Sequence, residues 1–343
     1  MEGNIYQIIW FILWAILWTG YFILDGFDLG AGSVFYLWKK EEEKKAIYQA
    51  LGPFWDGNEV WLITAGGATF AAFPKTYAIM FSNLYSALLL LLFSLIIRGV
   101  AIEYRNKYEN YSWKKLWDLG FFLGSILPPF LLGVTFANIF KGLPIDEKGI
   151  YHGNLFTLLN PYGVLGGILF LTCFIVHGCN WIAFKTTGNL SEKAANLSKK
   201  FWSLSIVLIS LFFFASIIST NLWQKYLNYP ILLIFPFISI LGFILVPAML
   251  TQKKYLKAWL SSALGILGFS AWGFIGLFPN MLPSSLNSSW NLTIYNSSSS
   301  LLTLQIMTIV ALVFVPIVLV YTFWTYKTFA FKVSSQEPQK SAY

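Results

Sequence analysis

The chain has 343 residues, of which 57 % are hydrophobic and only 11 % are charged, and its net charge is +8 at pH 7. Soluble domains are typically about 45–50 % apolar and about 25 % charged, so this composition excludes an ordinary soluble enzyme, a disordered chain and a disulfide scaffold. The mean hydropathy of +0.64 instead favours an all-α polytopic membrane protein.

Nine segments are candidates for membrane-crossing helices, because each supplies most or all of the about 20 apolar residues that a crossing needs. The second segment is short and contains Gly66 and Gly67, which favours close packing against its neighbours. We therefore expect one integral membrane domain over 1–343, with nine transmembrane helices arranged as two four-helix bundles plus one extra helix. The predicted spans lie near 8–27, 58–73, 77–97, 117–140, 158–181, 201–219, 230–250, 256–278 and 301–324.

Basic residues are unevenly divided between the loops that follow odd-numbered and even-numbered spans. Of the 23 Lys and Arg residues, 18 follow odd-numbered spans and 4 follow even-numbered spans. Cytoplasmic loops carry the excess of Lys and Arg, so we expect the amino terminus outside and the carboxyl terminus in the cytoplasm. No basic run is interleaved with aromatic residues, and the net charge therefore does not indicate a nucleic-acid partner.

Histidine is scarce, because the chain contains only His152 and His177. A haem in a membrane usually needs two axial ligands, such as a histidine pair or histidine with methionine. We therefore expect no haem ligand and no metal site in this chain, and we expect His177 to be a hydrogen-bonded core histidine. Cys173 and Cys179 would lie about 9 Å apart along one helix, which is too far for a disulfide.

Acidic residues gather near the predicted cytoplasmic ends of spans one to four. Helices joined by short loops are normally neighbours, so we expect these acids and one arginine to form a single polar cluster. Asp25 and Asp28 are spaced i,i+3 and share a helix face, and Asp56 and Glu59 repeat this spacing. The expected members are Asp25, Asp28, Asp56, Glu59, Arg98, Glu103 and Asp118.

Spacing alone leaves three interpretations of this cluster open. The acids can form structural ion pairs with Arg98 and the loop lysines or cap helix ends. They can form a proton entry path from the cytoplasm, since chains of Asp and Glu serve as relays in membrane proteins. They can also form the cation site of a transporter, although such sites are expected near the middle of the membrane on broken helices.

Three blocks of sequence carry most of these acids: LDGFDLG at 24–30, WDGNEVWLITAGGA at 55–68 and RGVAIEYR at 98–105. Together they resemble subunit II of the cytochrome bd-type quinol oxidases. The block that begins WDGNEVW is specific by itself, and weaker matches continue in family order to the last span. These weaker matches lie at 117–120, 124–129, 153–156, 159–161, 278–279, 283–285 and 300–304.

The resemblance implies a subunit of a quinol:oxygen oxidoreductase in the cell (inner) membrane of a bacterium. Its partner would be subunit I, which in this family carries two b haems and haem d, and a small single-span subunit accompanies some members. Quinol and oxygen would be substrates of the whole complex, and membrane lipid would surround it. This chain alone would bind no cofactor, although some members hold a structural quinone in subunit II.

The resemblance also assigns residues. The family implicates the Asp of the WDG motif, here Asp56, in a proton path toward the oxygen site of subunit I. Asp25 and Glu103 occupy acidic positions that are consistent with the same path. The remaining members of the cluster are expected to support it structurally or electrostatically; they are Asp28, Glu59, Arg98 and Asp118. A proton- or cation-coupled secondary transporter is the alternative function.

Overall fold

A computed structural model describes residues 4–334, and it is almost entirely helical. Within these residues one small sheet is present, an antiparallel pair of β1 (Asn280–Leu282) and β2 (Leu292–Thr293). The helices are α1 (Ile5–Ser33), α2 (Glu41–Leu51), α3 (Trp55–Ala72), α4 (Pro74–Asn83), α5 (Tyr85–Tyr104), α6 (Tyr111–Lys141), α7 (Leu155–Leu158), α8 (Pro161–Lys185), α9 (Gly188–Ser219), α10 (Leu222–Asn228), α11 (Ile234–Thr251), α12 (Tyr255–Leu277), α13 (Ile294–Ser297) and α14 (Leu301–Thr328).

Eight helices in the described chain are long and apolar enough to cross a membrane, which confirms a multi-pass helical membrane protein. They are α1, α5, α6, α8, α9, α11, α12 and α14. The predicted span 58–73 forms α3, which falls short by these criteria because its first turns carry Asp56, Asn58 and Glu59. The predicted span 77–97 is divided at Leu84 between α4 and α5.

α3 runs antiparallel to α1 along most of its length. Near one end of α3, the Asn58 side chain donates a hydrogen bond to the carbonyl of Leu24 at 3.0 Å. Near the other end, the indole N–H of Trp14 donates to the Thr69 hydroxyl at 2.9 Å. α3 therefore passes through the same depth of the molecule as the apolar part of α1.

α1 lies in the middle of the helix packing, where it contacts α3, α6, α8 and α12. Its buried face repeats aromatic residues at helical spacing, including Trp14, Trp18 and Phe22. The Trp18 and Phe22 rings meet Phe136 of α6 edge-on at centroid distances of 5.0 and 5.3 Å. α1 is thus held by packing on several sides, which fixes the position of its polar residues.

Ionic and hydrogen-bond contacts connect the loops on one side of the molecule, which we call the lysine-rich side. Lys193 at the start of α9 pairs with Glu43 of α2 at 2.5 Å. Lys253, in the connection between α11 and α12, pairs with Glu192 at 2.8 Å. Lys185 at the end of α8 donates to the carbonyl of Phe331, after α14, at 2.8 Å. The loops predicted to share one side are therefore joined in the structure.

Candidate functional site

The centre of the candidate site is Arg98, a fully buried residue of α5. Its Nη2 atom donates to Asp25 Oδ1 of α1 at 2.7 Å and to Glu59 Oε1 of α3 at 2.5 Å. The Arg98 and Asp25 side chains are fully buried, whereas the Glu59 side chain is 20 % exposed. One guanidinium thus joins three helices inside the bundle.

Gly124 of α6 makes room for this arginine. A methyl group at Gly124 would lie 2.7 Å from the backbone nitrogen of Arg98, so the two helices can approach this closely only with glycine there. On its other side, Arg98 is followed by Gly99, where a methyl group would meet the Trp55 ring at 3.1 Å. Small residues therefore position both the guanidinium and the start of α3.

Asp28 extends the site one turn beyond Asp25. The Asn58 side chain donates to Asp28 Oδ2 at 2.7 Å, and the Tyr326 hydroxyl of α14 donates to Asn58 Oδ1 at 3.1 Å. This chain of hydrogen bonds connects the last membrane helix to the acids of α1. We refer to Asp25, Asp28, Asn58, Glu59 and Arg98 as the Arg98 network.

The Arg98 network contains three carboxyl groups and one guanidinium. Full ionisation would therefore bury excess negative charge, which is costly in a medium of low polarity. Asp28 Oδ1 and Arg98 Nε and Nη1 are also buried and have no hydrogen-bond partner among residues 4–334. The network thus retains capacity both to hold a proton and to make further hydrogen bonds.

Asp118 belongs to a second network, centred on Arg105 at the end of α5. Arg105 Nε donates to Asp118 Oδ1 at 2.5 Å, and Lys44 binds the other carboxylate oxygen at 2.5 Å. Arg105 also donates to both carboxylate oxygens of Glu41, at 3.0 and 2.9 Å. Arg98 in α5 and Arg105 directly after it, two turns apart, therefore each bind their own acids, so the single predicted cluster is divided.

Asp25, Asp28 and Asp118 do not cap helix ends. Asp25 and Asp28 lie inside α1, which continues to Ser33. Asp118 lies inside α6, which begins seven residues earlier at Tyr111 rather than near residue 117. Asp25, Glu59 and Asp118 instead make ion pairs, as the structural interpretation expects.

Asp56 and Glu103 are both exposed and lie outside the two arginine networks. Asp56 precedes Glu59 by three residues on α3, so the two side chains lie on neighbouring turns of one helix face. Glu103 lies one turn beyond Gly99, on the face of α5 that meets Trp55. The two exposed acids thus flank the contact between α3 and α5, and Glu59, one turn from Asp56, pairs with the buried Arg98.

The Arg105 network holds the α2 helix against α5 and α6. Burial alone would raise the pKa of the Glu41 carboxyl, but hydrogen bonds from Arg105, together with the charges of Arg105 and Lys114, hold this pKa below its usual value. A carboxyl whose pKa is lowered by folding stabilises the folded state above its unfolded pKa of about 4.3. That stabilisation is lost as the pH falls through the lower folded pKa.

We expect Glu41→Gln to loosen α2 at neutral pH, because a neutral amide cannot replace the charged, two-point contact with Arg105. A spin label at Lys45→Cys, an exposed position of α2, would show increased mobility in this variant. In the parent protein the same increase should occur only in acid, below the unfolded pKa of a glutamate of about 4.3. Glu42→Gln is the matched control, and equal mobility in both variants would contradict the role of Glu41.

His177 is a hydrogen-bonded core histidine, as the sequence predicts. Its ring nitrogens lie 2.7 Å from the Ser262 hydroxyl and 3.0 Å from the carbonyl oxygen of Ile23. Cys173 and Cys179 are buried free thiols. Across the described residues, no group of three or more His, Cys, Asp or Glu residues is arranged to hold a metal ion.

An apolar cavity of about 700 Å³ lies between the helices of the amino-terminal half. Trp14 and Trp18 of α1, Phe70 of α3 and Phe136 of α6 contribute to its walls, together with leucines of α5. A cavity of this size and lining suits a hydrophobic ligand.

Sequence reasoning missed Asn58 and Glu41 as members of the two networks and Tyr326 as a partner of Asn58. Asn58 lies within the WDGNEVW block, directly before Glu59, and this position could have marked it as a member of the site. Tyr326 is separated from Asn58 by 268 residues, and only the folded structure brings them together.

Comparison with known proteins agrees with this architecture. The family model described as cytochrome bd terminal oxidase subunit II matches residues 6–329. The chain is 37 % identical to the cytochrome bd ubiquinol oxidase subunit 2 of Bacillus subtilis (strain 168), covering 96 % of this chain and 97 % of that protein. It is 33 % identical to the cytochrome bd-I ubiquinol oxidase subunit 2 of Escherichia coli (strain K12), covering 100 % and 99 %.

The fold is also similar to a chain in the structure of the bd oxidase from Geobacillus thermodenitrificans. The TM-score is 0.78 at 16 % sequence identity, covering 95 % of this chain and 99 % of that chain. The family match, the relatives aligned over nearly their full lengths and the shared fold show that the chain belongs to the cytochrome bd terminal oxidase subunit II family.

Proposed function

We propose that this chain scaffolds the haem-bearing subunit I of a bd-type quinol:oxygen oxidoreductase and supplies it with a proton path. The observation that carries the proton path is that partly exposed Glu59, one turn from exposed Asp56 on α3, pairs with the buried Arg98 that also binds Asp25. Membership of the oxidase family favours this function over a proton- or cation-coupled transporter. The quinol oxidation and oxygen reduction would take place at the two b haems and haem d of subunit I.

The proposed topology has nine crossings, namely the eight long apolar helices and α3. The antiparallel course of α3 beside α1 supports this count. The first four crossings would be α1, α3, α5 and α6, and the next four α8, α9, α11 and α12, with α14 as the extra helix. The lysine-rich side would face the cytoplasm, with the amino terminus outside and the membrane a bacterial cell membrane.

The surface that we propose for subunit I includes α14 and the outer face of α3. The most apolar stretch of α14 has no residue buried against the rest of the described chain. On α3, Ile63 and Phe70 are exposed, and Asp56 lies on the same helix. A partner on this surface would cover apolar area and lie beside the start of the proton path. A small single-span subunit and lipids would cover the remaining exposed helices.

Protons would enter at Asp56 and Glu103 and reach the Arg98 network through Glu59. Arg98 offsets the negative charge of a relay acid, while excess carboxyl groups allow one proton to be held among them. The unpaired polar atoms at Asp28 and Arg98 would bind water, which can carry a proton between groups too far apart for direct contact. The apolar cavity beside α1 is the candidate site of a structural quinone.

Asp56→Asn and Glu103→Gln are the variants that test the proton path. Each removes a carboxyl that can exchange a proton and preserves the shape of the side chain. We expect quinol-dependent oxygen consumption of the purified complex to fall about tenfold or more, since a positioned proton-transfer group commonly contributes at least roughly 100-fold.

The rates must be compared at equal haem content, so that a loss of assembly is not mistaken for a loss of proton transfer. Glu147→Gln changes an exposed acid in the loop between α6 and α7 and should leave the rate unchanged. Unchanged rates in both test variants across pH would remove the proposed path. Haem-free protein that transports a cation would instead support the alternative function.

A further inference from the structure

A basic pocket on the lysine-rich side is separate from both arginine networks. It has a volume of about 370 Å³ and lies between the segment after α1, the start of α2 and the start of α9. Lys193, Asn196, Leu197 and Lys200 line it from one face of α9, because they are spaced i, i+3, i+4 and i+7. The other lining residues are Leu37, Trp38, Lys39, Lys40 and Glu43.

The charge of this pocket is only partly neutralised. Lys193 pairs with Glu43, the acid among the lining residues, at 2.5 Å. Lys39, Lys40 and Lys200 are exposed and have no ion pair within the described part of the chain. Three uncompensated ammonium groups therefore surround one concavity, which favours a ligand with negative charge.

The pocket lies at the depth of lipid headgroups. α9 has 32 residues and is about 48 Å long, whereas the hydrocarbon core is about 30 Å thick. Its uncharged and mostly apolar stretch begins at Phe201, directly after Lys199 and Lys200. Lysines at such a boundary place their ammonium groups among lipid headgroups.

An exposed apolar strip continues from the pocket along the same face of α9. Leu204, Val207 and Leu211 follow Lys200 at i+4, i+7 and i+11, and they are 44, 61 and 48 % exposed. The strip extends about 16 Å from Lys200 into the hydrocarbon region, which is comparable to one leaflet.

We propose that this pocket and strip bind an anionic phospholipid, with its phosphate among Lys39, Lys40 and Lys200 and an acyl chain along Leu204, Val207 and Leu211. The lysines alone would bind any phosphate. The apolar strip beside them adds binding energy only for a ligand that also has a long apolar chain, and this favours a phospholipid over free phosphate. The proposal goes beyond the oxidase function and is independent of the proton path.

The test is lipid binding to the purified complex, measured by native mass spectrometry with phosphatidylglycerol and with phosphatidylcholine. The test variant combines Lys39→Gln, Lys40→Gln and Lys200→Gln. Each lysine near a headgroup contributes roughly a fivefold factor in affinity, so we expect phosphatidylglycerol binding to weaken about a hundredfold. The control combines Lys115→Gln, Lys254→Gln and Lys257→Gln, three exposed lysines on the same side but outside the pocket.

Binding to the parent complex should prefer phosphatidylglycerol, weaken with added salt and resist competition by inorganic phosphate. A second variant, Leu204→Ser with Val207→Ser, keeps the lysines and should also weaken lipid binding. Equal loss in the lysine variant and its control would overturn the proposal, as would equal affinity for the two lipids. Displacement by inorganic phosphate would also overturn it, because the pocket would then be a site for free phosphate.

Discussion

Replacement of Arg98 by methionine is expected to destabilise the assembled protein by about 3–5 kcal/mol, the cost of removing one partner from a buried ion pair. Arg98 donates to Asp25 and Glu59 from the same nitrogen, so both carboxyl groups lose their partner at once. Methionine fills much of the space of the arginine stem, which limits the cavity contribution. The loss would therefore be mainly electrostatic.

A compensating variant separates this electrostatic effect from a packing effect. Arg98→Met combined with Asp25→Asn and Glu59→Gln removes the charges on both sides and should recover most of the lost stability. The measurement is the midpoint temperature at which the purified complex loses its assembled form. If the triple variant is as unstable as Arg98→Met alone, packing at Arg98 rather than charge pairing holds the three helices together.

The helical membrane fold could be predicted from the sequence because apolar length is a property of each segment by itself. The predicted spans match the helices less well where a helix includes polar or charged turns as well as apolar ones. α3 begins with polar residues that belong to the Arg98 network, and α9 extends outside the hydrocarbon through its lysine-bearing turns. The amphipathic surface helix α2 was not predicted, because it is short and charged.

The candidate site was predicted at the level of helix faces but not of partners. The spacing of Asp25 and Asp28 placed both on one face of α1, and this is what the structure has. The choice of Arg98 or Arg105 as the partner of each acid depends on how α5 packs against α1, α3 and α6. That packing depends on glycines such as Gly124, whose role becomes visible only when two backbones are in contact.

The second large effect is expected at Gly30, where α1 crosses α8. A methyl group at Gly30 would lie 1.7 Å from the carbonyl oxygen of Phe174, and one at Gly178 would lie 2.2 Å from the backbone nitrogen of Ala31. The two helices therefore meet backbone to backbone, and a rigid backbone atom cannot move aside as a flexible side chain can. Gly30→Ala must separate α1 from α8, at a cost of about 3 kcal/mol or more.

The effect of Gly30→Ala should extend beyond stability, because α1 carries both Asp25 and Asp28. Displacing α1 from α8 would alter its contact with Arg98, so oxygen consumption per haem should fall together with the midpoint temperature. Gly120→Ala on α6 is the control, since a methyl group there would meet only side-chain atoms, the nearest being Cγ2 of Ile97 at 3.2 Å. Its midpoint should change much less than that of Gly30→Ala, because a side chain can move aside and alanine favours helix more than glycine does. Equal behaviour of the two variants would mean that the α1–α8 crossing yields without strain and does not fix the position of the acids.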